Sequence, residues 1–255
     1  MEAPAGKALL FRKTDYGEAD LILTFFTLNH GKVSVIAKSA KNSRKRFGGV
    51  LELFSLLDIN TTGNAKKRGL LVLNEAKIVS PFAALRGDFR KMAYAAYWCD
   101  LVYHFAEENE PLPDVFRLLC FSLEALCREA HTPEFLSVVF QSKLAQLLGY
   151  EPNLKYCAVC GTDVFAARLN DVGINIAAGG LACNNCMDAH LPGAFKLQAG
   201  TLKQMVWVLE KPLDTALRAR FSDKAVYEAL HFWEVFLPYH FDKKLKSLDF
   251  LRQIR

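Results

Sequence analysis

Four cysteines in two close pairs are the residues of this chain whose types and spacing point most clearly to chemistry. Cys157 pairs with Cys160 and Cys183 with Cys186, with two residues inside each pair and 22 between the pairs. This spacing lets both thiolates of a pair point at one ion, and two such turns supply the tetrahedral set that Zn²⁺ prefers. Because four thiolates leave no open coordination position, the pattern predicts one structural zinc ion and no catalytic metal.

Other interpretations of these cysteines stay open at this level. A redox dithiol would account for one pair and not for two, an iron–sulfur site uses the same ligands, and free core thiols need no ion. Gly161 and Gly179-Gly180 flank the pairs and permit the positive φ angles of tight turns, which favours a metal site. His190 is a spare candidate ligand, although a surface position suits it better. The remaining cysteines lie in apolar helical sequence and resemble small core residues: Cys99, Cys120 and Cys127.

A cluster of cations lies in the first third of the chain. Residues 1–80 hold 13 Lys and Arg against 7 Asp and Glu, although the net charge of the whole chain is only +5. Cations on the rim loops of a small barrel can contact phosphates, so the cluster predicts nucleic-acid binding; a plain solvated surface is the alternative. The main candidates are Lys38, Lys41, Arg44, Lys45 and Arg46, and the weaker ones are Lys32, Lys66, Lys67 and Arg68.

The sequence contains no recognisable catalytic constellation. No phosphate-binding glycine loop, GxSxG or HExxH is present, and the histidines show no ligand spacing. Glu18 and Asp20 could hold a metal, but two acids beside a turn are usually solvated. Phe47, next to the basic cluster, could stack on a base, although a core position is favoured. We therefore expect a protein that is not an enzyme.

The periodicity changes near residue 80. Short segments rich in β-branched and aromatic residues, separated by turn signals, predict five strands and a small closed barrel with the OB-fold as leading candidate: Lys7–Thr14, Leu21–Leu28, Lys32–Ala40, Val50–Asn60 and Gly69–Val79. Helical periodicity then predicts helices over Asp88–Glu107, Leu112–Arg128, Thr132–Leu148, Leu197–Glu210, Ser222–Phe241 and Leu248–Arg252. A short strand pair is expected within Val164–Ala178.

These elements predict a multi-domain α+β protein. An N-terminal five-stranded OB-fold barrel would occupy residues 1–80, and an α-helical domain would occupy residues 81–255. The zinc-binding segment with its four cysteines would be an insertion at residues 153–190. The sequence shows no membrane span, signal peptide or transit segment, so we expect a cytoplasmic, nucleoid-associated protein without a membrane partner.

Several stretches together resemble the RecO family of bacterial recombination mediators. They are residues 15–22 (DYGEADLI), 27–38 (TLNHGKVSVIAK), 46–54 (RFGGVLELF), the cysteine quartet within helical sequence, and residues 245–251 (LKSLDFL). Their order and spacing cover almost the whole chain. One departure is Ser39, where this family usually has glycine after Ala-Lys, so the local backbone is expected to be less permissive.

The resemblance implies an OB-fold, a helical domain and a zinc-binding insertion. It also implies binding of single- and double-stranded DNA and annealing of complementary strands. The implied protein partners are RecR and the C-terminal tail of the single-stranded DNA-binding protein, so that recombinase can load at gaps.

Three other functions fit parts of the pattern. A zinc-ribbon RNA-binding or translation factor would share the barrel and the charges, but not the stretches at both ends. A scaffold that binds only proteins would not bind DNA even at low salt. A nuclease would need Glu18 and Asp20 to hold a metal ion.

Overall fold

A computed structural model describes residues 3–63, 71–187 and 195–255. The chain packs as two compact units, one of residues 1–129 together with 245–255 and the other of residues 130–244. The first unit therefore contains the barrel, the helices that follow it up to residue 129, and a helix within residues 245–255. The predicted domain boundaries at residues 80 and 153–190 follow the sequence pattern and stay a prediction.

Five strands close into a barrel in the first unit: β1 Ala5–Tyr16, β2 Asp20–Thr27, β3 Gly31–Ala37, β4 Leu56–Thr62 and β5 Leu71–Ser80. The strand order around the barrel is β1-β2-β3-β5-β4, and the β3–β5 pair is parallel while the other pairs are antiparallel. This topology confirms the predicted five-stranded OB-fold.

Alternation of side chains explains the closure of the barrel. In β3, Val33, Val35 and Ala37 are buried, whereas Lys32, Ser34 and Ile36 between them are only partly covered. The buried set joins inward-facing residues of the other strands in one apolar core. A strand register that places one face inside and one outside is strongly specified, because a slip by one residue would expose the apolar set.

The fourth predicted strand begins six residues later than expected. Residues 50–55 are irregular, and Phe54 adopts a left-handed backbone with φ 64°. Its amide donates to the carbonyl of Leu10, while Leu10 donates to the carbonyl of Ser55. These bonds hold the chain beside β1 in a conformation that a continuous strand cannot adopt, so the prediction of a strand from Val50 is wrong over residues 50–55.

Seven α-helices lie in the described part of the chain. They are α1 Phe89–Phe105, α2 Pro113–Arg128, α3 Pro133–Leu147, α4 Ala199–Glu210, α5 Leu213–Ala216, α6 Asp223–Phe241 and α7 Lys246–Ile254. Three of the predicted helix starts have side-chain caps: Asp88 accepts from the amides of Arg90 and Lys91, Thr132 from that of Phe135, and Ser222 from that of Ala225. Only α5 and a 3₁₀ turn at Ala83–Leu85 have no predicted counterpart among the helices of these described residues.

Helix α7 completes the first unit by packing on α1. The rings of Phe89 and Phe250 lie 5.5 Å apart, edge to face. The Ser247 hydroxyl donates to Asp100 at 2.7 Å. Residues separated by about 150 positions in sequence therefore share one packed surface.

The second unit combines helices with a four-stranded sheet. The strands are β6 Asn153–Cys157, β7 Asp171–Asn175, β8 Gly180–Ala182 and β9 Lys196–Gln198, in the order β6-β8-β7-β9. The predicted strand pair within Val164–Ala178 is wrong, because only β7 lies there and it pairs with β8 and β9. Before β7, Asp163 accepts hydrogen bonds from the backbone amides of Phe165 and Ala166. These bonds fold residues 163–166 into a turn instead of a strand.

Within the three described ranges, no helix combines the length and the apolar character required to cross a lipid bilayer.

Candidate functional site

The structure brings the four predicted cysteine ligands into one cluster. The Sγ atoms of Cys157, Cys160, Cys183 and Cys186 all lie within 4.8 Å of one another, and those of Cys160 and Cys183 are 3.6 Å apart. Tetrahedral Zn²⁺ with bonds of about 2.3 Å places its sulfurs about 3.8 Å apart. The cluster therefore has the donor atoms and the spacing to hold one metal ion.

Two turns at the edge of the small sheet position these thiols. Cys157 ends β6 and Cys183 follows β8, and the amide of Ala158 donates to the carbonyl of Leu181 at 2.8 Å, which joins the two turns. The amide of Gly161 donates to the carbonyl of Cys157 at 2.9 Å and closes the first turn. Gly161 has φ +73°, the left-handed conformation expected from the sequence.

Hydrogen bonds favour the thiolate form of Cys157 and Cys160 and the thiol form of Cys186. The Thr162 hydroxyl and then its backbone amide lower the pKa of Cys160 to about 6. Although burial raises the pKa of Cys157, the amides of Cys160, Cys183 and Val159 lower it to a value below the usual one. Hydrogen bonds with Cys183 and Cys160 raise the pKa of Cys186 to about 12. Donor groups aimed at sulfur stabilise the form that a metal ion binds.

Thr162 is a supporting residue that the sequence analysis missed. Its hydroxyl lies 3.2 Å from the Sγ of Cys160. A hydroxyl two residues after the second cysteine of a pair is the signal that could have identified it. The spare ligand candidate His190 lies outside the described residues.

The connection between β3 and β4 carries the predicted cationic cluster, and three of its cations project freely. Lys38, Arg44 and Lys45 are exposed. Their side chains make no hydrogen bond or ion pair with any residue in the described ranges 3–63, 71–187 and 195–255. They are therefore available to an anionic ligand without breaking an internal contact.

The other two cations of this cluster have internal partners. The Arg46 guanidinium donates to the carbonyl of Lys38 at 2.9 Å and lies 4.8 Å from the ring centre of Phe47. The Lys41 ammonium donates to the carbonyl of Gly17 and pairs with Asp15, both at 3.2 Å. Arg46 therefore joins two parts of the connection, and Lys41 joins the connection to the β1–β2 turn. They stay predicted DNA contacts, but each also has a structural role.

Apolar residues anchor the same connection to the barrel core. Phe47 is only 4% exposed and packs in that core together with Ala40 and Leu51. The Lys13 ammonium donates to the carbonyl of Leu51 at 3.1 Å. Phe47 is therefore a core residue, as the sequence favoured, and its ring cannot stack on a base without leaving the core.

Ser39 occupies a position where glycine is usual in the resembled family, and it adopts the left-handed backbone that glycine favours. Its φ is 54°, and its amide donates to the Asp20 carboxylate at 2.7 Å. That carboxylate therefore positions the start of the basic connection. Serine at this position is thus accommodated by a specific backbone hydrogen bond to Asp20.

The weaker DNA-contact candidates fall into two groups. The Lys32 ammonium donates to the carbonyl of Tyr103 at 3.1 Å and lies 4.4 Å from that ring's centre, and burial lowers its pKa. The Lys32 ammonium is thus already in contact with Tyr103 and is less available to a phosphate. The others, Lys66, Lys67 and Arg68, lie outside the described residues.

Taken together, these features define a class of protein. It has an OB-fold barrel with a basic connection, followed by a helical region that carries four clustered cysteines able to bind a metal ion. OB-folds commonly bind single-stranded nucleic acids through grooves lined by cations.

The chain belongs to the RecO family. Residues 1–82 match the family model described as "Recombination protein O N terminal", and residues 86–249 match "Recombination protein O C terminal". The chain is similar to the "DNA repair protein RecO" of Desulfosudis oleivorans, with 35% identity over 97% of this chain and 96% of the relative. The proteins of the same name from Desulfatibacillum aliphaticivorans and Pelobacter propionicus are each 36% identical, again over 97% of this chain and 96% of the relative.

Proposed function

We propose that this protein is a non-catalytic mediator of DNA repair and recombination at the bacterial chromosome. It would bind single- and double-stranded DNA and anneal complementary strands. With RecR it would help load recombinase onto DNA coated by the single-stranded DNA-binding protein, whose C-terminal tail it would contact. Membership of a family whose named relatives are DNA repair proteins supports this proposal.

The observation that carries the proposal is the exposed triad Lys38, Arg44 and Lys45. The connection that carries it is anchored by Phe47, Arg46 and the Asp20–Ser39 hydrogen bond, so the cations are presented without further ordering of the backbone. A preordered cationic surface binds phosphates at a smaller cost in conformational entropy. Annealing would follow because cations reduce phosphate repulsion while two strands are held close together.

A gel-shift titration with a labelled single strand tests this assignment. The variant Lys38→Gln/Arg44→Gln/Lys45→Gln removes the free cations and retains the structural ones. Each lost phosphate contact should reduce the slope of log K against log salt by about 0.7, so the triple variant should lose about 2 in slope. Strand annealing should slow in parallel.

A matched control removes the same net charge elsewhere. Lys77→Gln/Arg117→Gln/Lys224→Gln changes three exposed cations of other elements and should leave the affinity nearly unchanged. If both triple variants lost DNA affinity equally, the loss would be explained by net charge alone, and the basic connection would be rejected as the binding surface. Competition between single-stranded DNA and RNA of the same sequence separates the mediator from an RNA-binding factor.

For the cysteine cluster we propose one structural Zn²⁺ per chain, held by Cys157, Cys160, Cys183 and Cys186. The support is the set of four sulfur donors within 4.8 Å of one another, the hydrogen bonds that favour the thiolates of Cys157 and Cys160, and the lack of an open position for a substrate in any four-thiolate site. Elemental analysis of purified protein should find zinc near one equivalent. Iron with a visible absorption band, or no metal, would contradict the assignment.

A further inference from the structure

The second unit contains a cationic pocket around Trp207, and this pocket has no role in the function proposed above. The pocket has a volume of about 350 Å³ and is lined by Lys203, Gln204, Trp207, Arg218, Ala219 and Arg220. Its lining contains three cations and no acidic residue among the described residues. Trp207 is partly exposed there and packs with its inner side against a small apolar cluster.

Two elements build this pocket and are joined by a hydrogen bond. Lys203, Gln204 and Trp207 have the three- and four-residue spacing that places side chains on one face of α4. The opposite wall is the segment 218–220, which follows α5. The Gln204 side-chain amide donates to the carbonyl of Arg220 at 2.6 Å, so the segment is tied to the helix and the pocket is preformed.

The cations of the pocket are available to a ligand. Lys203, Arg218 and Arg220 are exposed, and their side chains make no hydrogen bond or ion pair with the part of the chain that the structure describes. Three like charges around an apolar surface repel one another, and an anion among them would relieve that repulsion. The ligand that fits must therefore combine negative charge with a flat or apolar group that covers an indole.

We propose that this pocket is a second binding site for single-stranded DNA, in which one base stacks on Trp207 and the neighbouring phosphates pair with Lys203, Arg218 and Arg220. A strand of nucleic acid offers phosphates on both sides of each base, which matches cations on both walls of the pocket. Stacking on an aromatic side chain and salt-sensitive phosphate contacts are the general features of single-strand binding. This inference rests on the proposed function and extends it, because annealing requires that two strands be bound.

Trp207 gives this site a spectroscopic signal of its own. The other two tryptophans, Trp98 and Trp233, are fully buried at 0% exposure, so a stacked base can quench only Trp207 directly. Titration of the full chain with unlabelled oligothymidylate should quench part of the tryptophan fluorescence. The Trp207→Phe variant should lose that quenching while retaining DNA binding in a gel shift through the basic connection.

Charge variants give a second measurement that does not depend on the tryptophan. Lys203→Gln/Arg218→Gln/Arg220→Gln should weaken the quenching titration at least about tenfold and reduce its salt slope by about 2. The triple variant Lys38→Gln/Arg44→Gln/Lys45→Gln should retain the quenching. Circular dichroism of each variant checks that it folds.

Two outcomes would overturn the inference. DNA binding by gel shift with no quenching of Trp207 would leave the proposed function standing and reject this second site. Quenching by a short acidic peptide with an apolar end, but not by oligothymidylate, would assign the pocket to a protein partner instead. If no DNA bound at low salt to any form of the protein, the proposed function itself would fail.

Discussion

Two irregular segments of this protein are held in place by different physical means. The connection between β3 and β4 in the first unit is anchored by a buried ring and by hydrogen bonds, through Phe47, Arg46 and Asp20. The cysteine segment of the second unit has only short strands, and its cysteines converge on a single point. The barrel core anchors the first segment through an apolar side chain, whereas the second segment brings four thiols together at distances that a metal ion could bridge.

The largest expected effect is the loss of a cysteine ligand. Binding of structural zinc is coupled to folding, with apparent free energies of about 10–16 kcal/mol in small zinc domains. We expect Cys183→Ser to lose the metal and to make the cysteine segment sensitive to limited proteolysis. Cys127→Ser is the matched control, because Cys127 lies on α2 and outside the cluster. Full metal content in Cys183→Ser would show that the cluster is not the binding site.

The next effect tests the apolar anchor of the connection. Replacement of a buried phenylalanine by alanine typically costs about 3–5 kcal/mol, so Phe47→Ala should lower the melting temperature strongly. It should also weaken DNA binding, because Lys38, Arg44 and Lys45 would lose their ordered backbone. Tyr227→Ala removes an exposed ring and should change little. If Phe47→Ala melted like the unmodified protein, the connection would have to be anchored by other contacts.

A smaller effect separates structural cations from free ones. The Arg46 side chain donates a hydrogen bond within the connection, and such bonds contribute about 1 kcal/mol or less at an exposed position. Arg46→Gln should therefore lower the free energy of unfolding measurably in urea, whereas Lys45→Gln should not. Both variants should weaken single-strand binding in the same gel-shift assay. A stability loss in Lys45→Gln equal to that in Arg46→Gln would contradict this division.

The smallest effect concerns the left-handed residue. A non-glycine residue in this conformation costs about 1 kcal/mol, so Ser39→Gly should raise the stability by up to that amount while its amide still donates to Asp20. Asp20→Ala should lower the stability, because it removes the acceptor of that hydrogen bond. Thermal melting of both variants measures the difference. A lower melting temperature for Ser39→Gly would show that the serine side chain stabilises the turn.

Much of this architecture is predictable because its signals are local. Asp88, Thr132 and Ser222 are helix caps whose side-chain oxygens reach amides two or three residues later, and such pairs can be read from the sequence. The cysteine cluster is predictable for a related reason, since thiolates at this spacing have few other uses. Phe47 is predictable as a core residue because it begins an apolar stretch.

The parts that could not be predicted depend on contacts between distant residues. The left-handed backbone at Phe54 is held by bonds with the neighbourhood of Leu10, and nothing near Phe54 in the sequence indicates it. Arg46 and Lys45 are indistinguishable in sequence, yet only Arg46 is bonded within the described residues. The pocket at Trp207 combines α4 with a segment about ten residues further on, so its cations appear scattered before the chain is folded.

The position of α7 has a consequence for biosynthesis. Residues 245–255 pack on α1 in the first unit, although residues 130–244 form the second unit and leave the ribosome earlier. The packing of α7 on α1 can therefore form only after residues 130–244 have been synthesised. During that interval the surface of α1 that α7 later covers, including the ring of Phe89, is open to water.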